Sequence, residues 1–321
     1  MIERSMIQNT VKPQKLRQRI SRKYGRYWKY YLFLIVPIAY VLLFNYYPML
    51  GLQIAFKQFR ISDTIWNAGW TGIYWFRRFL SSYQFMRILT NTVFLSLYNV
   101  FASFPFPILF ALVMNCIENA RFKKATQTIS YLPHFISIVV LVSILQQVFN
   151  PISGLYGSVY KALYGGVGPD LFASTRAFPH LYVWSGVWQD FGYNSVIYFA
   201  ALSNVDSQLH EAAMLDGANR FKRVIHVDIP TILPVITIML ILRTGSVMSL
   251  GFQKIYLMQN NLNISASEVI STYVYKTGLG SGVSNNYSYS TAIGMFNSVV
   301  NLFLVLLTNW LSRRFGGNGL W

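Results

Sequence analysis

The sequence predicts an all-α integral membrane protein with six spanning helices, and three observations predict it. Only 12% of the 321 residues are charged, about half of what a soluble domain carries. Hydrophobic residues make up 54% and aromatic residues 17%, which also excludes a disordered chain. The few charges are gathered between long apolar stretches, each able to supply the roughly 20 apolar residues that cross a bilayer as a helix.

Taken in chain order, residues 1–29 carry nine Lys and Arg. Leu16, Ile20, Tyr24, Tyr27 and Tyr31 recur there at helical spacing, so 1–29 reads as a basic amphipathic helix on the inner membrane face. Its long basic region, the length of the apolar run behind it and the lack of an A-x-A-like site argue against a secretory signal peptide. Lys29 and Lys57 bracket the first span, 30–56, and Arg87 and Glu118 the second, 88–117. Lys124 and Lys161 bracket the third, near 125–150. The fourth, 177–205, holds Asp190 as its one charge, and the fifth, 229–253, holds Arg243. The sixth, 288–312, follows a polar Gly/Ser-rich lead and ends at Arg313, leaving 313–321 as a short inner tail. A membrane domain over 30–312 follows. Six buried helices of a large soluble enzyme would need more charge than these stretches contain.

The 27 basic against 10 acidic residues give +17, which in a soluble protein would point to nucleic acid. With the N-terminus inside, 17 of those bases fall on inner segments (1–29, 118–124, 206–228 and 313–321) and nine on outer ones. Cytoplasmic loops collect Lys and Arg, so both termini are expected inside and no nucleic-acid partner is implied. The outer nine face three acids, Asp63, Asp170 and Glu268, a net of +6. A positive outer mouth would concentrate a polyanion, although scattered solvated charges give the same count.

Catalytic patterns are missing. No G-x-x-x-x-G-K-[ST] phosphate loop occurs, so ATP hydrolysis by that chemistry is not expected. His134, His180, His210 and His226 lack zinc-site spacing, and the single Cys116 forms neither an intramolecular disulfide nor a cysteine metal site. Asp190 is the only acid within a span, which argues against a proton- or sodium-driven carrier.

The inner loop 206–228 breaks the pattern. Glu211-Ala212-Ala213-Met214-Leu215 is strongly helix-forming. Gly217, after Asp216, can take a positive φ and end that helix. A second short amphipathic piece, with Phe221, Val224 and Ile225 on one side, then runs towards Pro230. Two helices bent at a glycine make a compact knob offering Glu211, Asp216, Arg220, Lys222 and Arg223 to a partner. From pattern alone, an ordinary amphipathic connector is the default reading.

The stretch resembles the EAA signature, E-A-A-x-x-x-G followed after nine residues by I-x-L-P, of permease subunits in bacterial ATP-binding-cassette (ABC) importers. Glu211, Ala212, Ala213, Gly217 and Pro230 match, while Val227 and Ile229 are mild departures. Asp216 and Ala218 extend the match to the D-G-A form of sugar importers. Gly72-Ile73-Tyr74-Trp75-Phe76 with Asn91-Thr92, Tyr131 to Ser137, Asn150-Pro151 with Gly154-Leu155, and Ser271 to Ala292 are similar to the carbohydrate and polysaccharide branch. Gly157 stands where that branch has a later Asn, so contacts made by that Asn are not carried over. Within the branch the likeness leans towards permease subunits of alginate importers.

The resemblance implies a type I ABC importer permease of the bacterial inner membrane, with no cofactor of its own. It implies that 206–228 is a coupling helix docking into a separate ATPase, with Glu211, Ala212, Ala213, Asp216, Gly217, Arg220 and Pro230 as its coupling residues. Expected partners are a second homologous permease, two ATPase subunits that bind ATP and Mg, a substrate-binding protein, membrane lipid and an oligo- or polysaccharide. The positive outer segments then fit an acidic sugar, or an acidic face of the binding protein. A scaffold or regulator that uses the same loop without moving solute is the alternative reading.

Polarity within the membrane suggests the solute path. Arg243 is costly in lipid, and Ser246, Ser249 or Leu250, and Gln253 follow it at roughly i+3 steps; pairing with Asp190 or with the second permease is its other role. Trp184, Trp188, Asp190, Tyr193 and Asn194 offer aromatic faces and hydrogen-bonding groups suited to sugars, while Trp and Tyr are also ordinary interface anchors. Asn297 and Asn301, four apart in the sixth span, can line the path or bond between helices.

Overall fold

The structure, a computed structural model, describes residues 14–245, 248, 250–280 and 286–316. The chain divides into two compact units, Met1–Gln53 and Ile54–Trp321. In the first, α1 (Gln14–Val41) is one unbroken helix, so no structural boundary falls at 29. A π turn at Leu42–Tyr46 and the short α2 (Tyr47–Met49) follow. Side chains from Tyr27 to Leu50 are all exposed, the pattern of a helix whose solvent is lipid. Residues 1–13 of the predicted amphipathic segment, and the side chains of Leu16, Ile20 and Tyr24, lie outside the described residues.

The second unit opens on β1 (Lys57–Gln58) and β2 (Gly69–Trp70), an antiparallel pair with Lys57 opposite Trp70. Helices α3 (Tyr74–Leu80), α4 (Phe85–Ser103) and α5 (Pro105–Asn115) follow. Pro105 opens α5 where a missing N–H costs least. Next come α6 (Ala120–Tyr131), α7 (Ile138–Val148) and α8 (Leu155–Tyr164). Then come α9 (Ala177–Asn194), α10 (Val196–Leu202), α11 (Ser207–Leu215), α12 (Arg220–Arg223) and α13 (Ile229–Gly245). The unit closes on α14 (Phe252–Met258), α15 (Ile264–Ser267), α16 (Ile270–Gly278) and α17 (Tyr287–Gly316).

Among the described residues, four helical runs are long and apolar enough to cross a membrane: Tyr27–Phe56, Phe85–Asn115, Arg220–Gly245 and Tyr287–Arg314. A fifth would combine α6 and α7, but these bend by 98°. The third predicted span is therefore not one straight helix. Pro133 removes a ladder donor in a 3-10 turn at Leu132–Phe135, and the Ser137 hydroxyl then caps a new helix by accepting from Val140 N–H. The fourth predicted span is split at Ser195 into α9 and α10. The fifth begins earlier than predicted, at Arg220, and ends at Gly245. Gln253 consequently sits on a different helix, α14, and does not continue a stripe from Arg243. Ser246 and Ser249 lie outside the described residues.

Three apolar clusters hold the second unit. Helices α4, α7, α9 and α14 meet around Leu95, Val142, Val183 and Ile255. Helices α3, α4, α16 and α17 meet around Phe79, Ile88, Ile270 and Ile293. Ala111, Leu202 and Ile232 join α5, α10 and α13. Helix α6 crosses α9 at Gly192, where a Cβ would lie 2.1 Å from the Ser130 carbonyl oxygen. Asn91 fastens α15 to α4 by donating to the carbonyls of Ser265 (2.8 Å) and Glu268 (3.1 Å). Thr92 Oγ1 accepts from Ile270 N–H at 3.0 Å.

Candidate functional site

The 206–228 segment is built from local caps. Asp206 Oδ1 accepts from Gln208 N–H at 2.9 Å and opens α11. At its end Gly217 has φ +75°. Gly217 N–H reaches Met214 O at 3.0 Å, and Ala218 N–H reaches Ala213 O at 2.9 Å. These are the paired bonds of a Schellman cap, which needs a left-handed residue at this position. Asn219 Oδ1 then accepts from Lys222 N–H at 2.8 Å and starts α12. The chain does not break at Pro230. It passes through a π turn at Val224–Asp228 straight into α13. The widened turn sits where Pro230 withholds a ladder donor, and the Thr231 hydroxyl donates to Val227 O at 2.7 Å.

The resulting knob exposes Glu211, Ala212, Asp216, Arg220 and Pro230. Its tip is apolar: Leu215 is 91% and Phe221 71% exposed. Sequence reasoning missed what lies behind it. Arg220 is ion-paired with Glu118 of the α5–α6 connection, and His210 Nε2 stands 3.1 Å from Oδ1 of buried Asp228. Together with Cys116 and Arg223 these side chains line a cleft of about 340 Å³. The nearest signal in the sequence was Glu118, an acid isolated between an apolar stretch and a basic run.

Helix α9 sorts the predicted path residues onto two faces. At about 100° per residue, Trp188 lies near Trp184, while Asp190 and Tyr193 lie about half a turn away. Trp184 and Trp188 are 46% and 48% exposed and border a cavity of about 370 Å³ with Leu145, Phe149 and His180. Trp184 Nε1 donates to the Tyr98 hydroxyl at 2.9 Å, which lies 2.7 Å from His180 Nδ1. On the other face Asp190 Oδ1 is 2.9 Å from His134 Nδ1. The His134 ring stacks on Tyr193 with centroids 3.9 Å apart. Asp190 is thus engaged by a histidine from the bent α6–α7 connection, and not by Arg243. Arg243 donates instead to Ser103 Oγ at 2.7 Å, at the α4–α5 junction. Asn194 and Asn297 are half-buried, and Asn301 accepts from Met248 N–H at 3.0 Å. Among the described residues no group of three or more His, Cys, Asp or Glu is placed to hold a metal ion.

The net charge of the segments read as outer is smaller than its count. Glu268, 5% exposed, binds Arg87 at 2.6 Å and faces Lys276 at 3.6 Å. Lys57 is buried and donates to Ile65 O at 2.8 Å. Buried Lys254 donates to Tyr182 O at 3.0 Å. Four of the nine outer bases are therefore drawn into the fold, and the expected +6 does not all face solvent.

A family model described as "Binding-protein-dependent transport system inner membrane component" matches residues 85–317, from α4 through the knob and both faces of α9 to α17. The chain belongs to this family. The permease is 37% identical over 290 residues to Protein LplB of Bacillus subtilis (strain 168), covering 90% of each chain. It is 38% identical over 294 residues to the polygalacturonan/rhamnogalacturonan transport system permease protein YteP of the same organism, covering 91% of this chain and 90% of the relative. A solved bacterial ABC transporter involved in import of the acidic polysaccharide alginate contains a chain with TM-score 0.84 and 34% identity, covering 93% of the permease and 99% of that chain. A second structure of a bacterial alginate ABC transporter, in complex with an alginate pentasaccharide-bound periplasmic protein, matches with the same TM-score and identity. The permease is a multi-helix membrane component.

Proposed function

We propose that the permease forms the membrane pathway of an ATP-driven importer of acidic oligo- or polysaccharide, alginate-like in carrying uronic acids. The observation that carries this reading is the likeness, over nearly the whole chain, to an alginate importer component at 34% identity. The polygalacturonan relative supports it, since that polymer is also built of uronic acids. Trp184 and Trp188 supply an exposed aromatic stripe of the kind on which the apolar faces of sugar rings stack. The α11–α12 knob is the coupling surface: Leu215 and Phe221 insert into an ATPase subunit, and Glu211, Asp216 and Lys222 set the register around them. Arg220 reaches that surface only by sharing itself with Glu118. A second homologous permease, two ATPases binding ATP and Mg, and a substrate-binding protein complete the complex, with both termini of the permease in the cytoplasm.

The test is import into proteoliposomes containing the permease, its partner subunits and the binding protein. Labelled trigalacturonate and a mannuronate trimer should enter with ATP, and maltotriose should enter more slowly. Preference for the neutral sugar would overturn the acidic reading, and normal import by Glu211→Ala and Gly217→Ala would overturn the coupling role.

A further inference from the structure

A third cavity, of about 610 Å³, lies away from the α9 stripe, in the segments read as outer. Its size is that of a small-ligand site. The segment 58–62 forms one wall, Trp75 and Arg78 of α3 a second, and Thr277, Asn286 and Tyr289 a third. Two guanidiniums, Arg60 and Arg78, line it, and among the described residues no carboxylate does. Asp63 caps the Arg60 backbone N–H at 3.0 Å and is not a lining residue.

Arg78 is positioned by packing. Its guanidinium carbon lies 5.5 Å from the Trp75 ring centre and 5.4 Å from that of Tyr289, within cation–π range of both. Both rings are buried, and Trp75 Nε1 is anchored on Lys57 O at 3.0 Å. The wall across from them is pinned as well, by Phe59 N–H donating to Ser288 Oγ at 2.9 Å. A planar fork held on two fixed rings is suited to bidentate binding of a carboxylate. Gln58, Ser62 and Thr277 add amide and hydroxyl groups around it. That combination, guanidinium for a carboxylate beside neutral donors and acceptors for hydroxyls, is the chemistry of a uronic acid unit.

Resting on the reading of the permease as an importer of acidic sugar, we propose that this cavity is an outer subsite in which Arg78 and Arg60 hold the carboxylate of one uronic acid residue. The experiment is equilibrium retention of labelled trigalacturonate and its neutral methyl ester by the full transporter complex in nanodiscs, without binding protein. The wild type should retain the acid about tenfold better than the ester, the loss expected for one bidentate ionic contact. The Arg60→Gln/Arg78→Gln variant should lose that preference, and Arg78→Lys should keep part of it. Equal melting temperatures of variant and wild type show that the fold is intact. Equal retention of acid and ester by the wild type, or an undiminished preference in the double variant, overturns the proposal. So does a double variant that loses docking of the unloaded binding protein while its acid preference stands, because the carboxylate would then be the protein's. Retention does not require transport, so a wild type that retains acid but imports no sugar would overturn the importer reading and leave the subsite's chemistry standing.

Discussion

Replacing Gly217 by Ala isolates one physical term. The residue has φ +75°, and a Cβ built there meets nothing within 4 Å, so no clash contributes. What remains is the cost of holding an L-residue in the left-handed region, about 1–2 kcal/mol. That is enough to shift a local equilibrium roughly five- to thirtyfold. The alternative open to the Gly217→Ala chain is to continue α11 in right-handed geometry. It would then lose the bonds from the N–H of position 217 to Met214 O and from Ala218 N–H to Ala213 O, and turn the Asn219 cap away from Lys222. Either way the angle between α11 and α12 is held less firmly. Asn tolerates the left-handed region better, so Gly217→Asn separates backbone from contact effects. The assay is import per ATP hydrolysed in proteoliposomes with the full complex. Gly217→Ala should fall several-fold with the protein still inserted, and Gly217→Asn should stay near wild type. Equal impairment of the two variants would refute the backbone argument and make Gly217 a contact residue.

Three further outcomes follow from the packing. Gly192→Ala places a Cβ 2.1 Å from the Ser130 carbonyl; backbone cannot yield as a side chain does, so a loss of about 1–3 kcal/mol or more is expected, read as a lower melting temperature in detergent. Glu268→Gln leaves Arg87 and Lys276 without their carboxylate. Discounted for the partly exposed Arg87, the cost should be about 1–2 kcal/mol, visible as faster proteolysis across 254–278. Trp184→Ala and Trp188→Ala should slow sugar import several-fold while melting moves little, because both rings are about half exposed; a large stability loss would make them structural anchors.

Much of this architecture was legible because a membrane imposes strong rules on composition. The apolar stretches were found by charge spacing alone, yet charge spacing cannot report where a helix bends. The 98° turn between α6 and α7 depends on Pro133 and the Ser137 cap acting together, inside a run that reads as uniformly apolar. The fifth stretch was drawn from Asp228 because a charge looks like a boundary. Asp228 is instead buried inside a continuous helix beside His210. The helix end at Gly217 was legible because a cap is local; the Asp206 and Asn219 caps, which also bond within a few positions, were not singled out. The partners of Arg243, Asp190 and Arg220 were not, because Ser103, His134 and Glu118 are supplied from distant segments. Likewise the outer charge could be counted but not located, and only the fold shows that Glu268 absorbs two of its bases.

The unbroken run from Arg220 to Gly245 has a mechanical meaning. Its 26 residues span about 39 Å at 1.5 Å per residue. A rod of that length turned by about ten degrees at one end moves the other by about 7 Å, comparable to the width of a sugar ring. Arg220 and Arg243 sit near opposite ends of this helix, one in the knob and the other against the α4–α5 junction. The helix departs from α geometry at the π turn Val224–Asp228, where Asp228 is paired with His210. Under the proposed coupling role, the stiffness of that joint would set how much of a push on the knob arrives at Arg243 and how much is lost in bending.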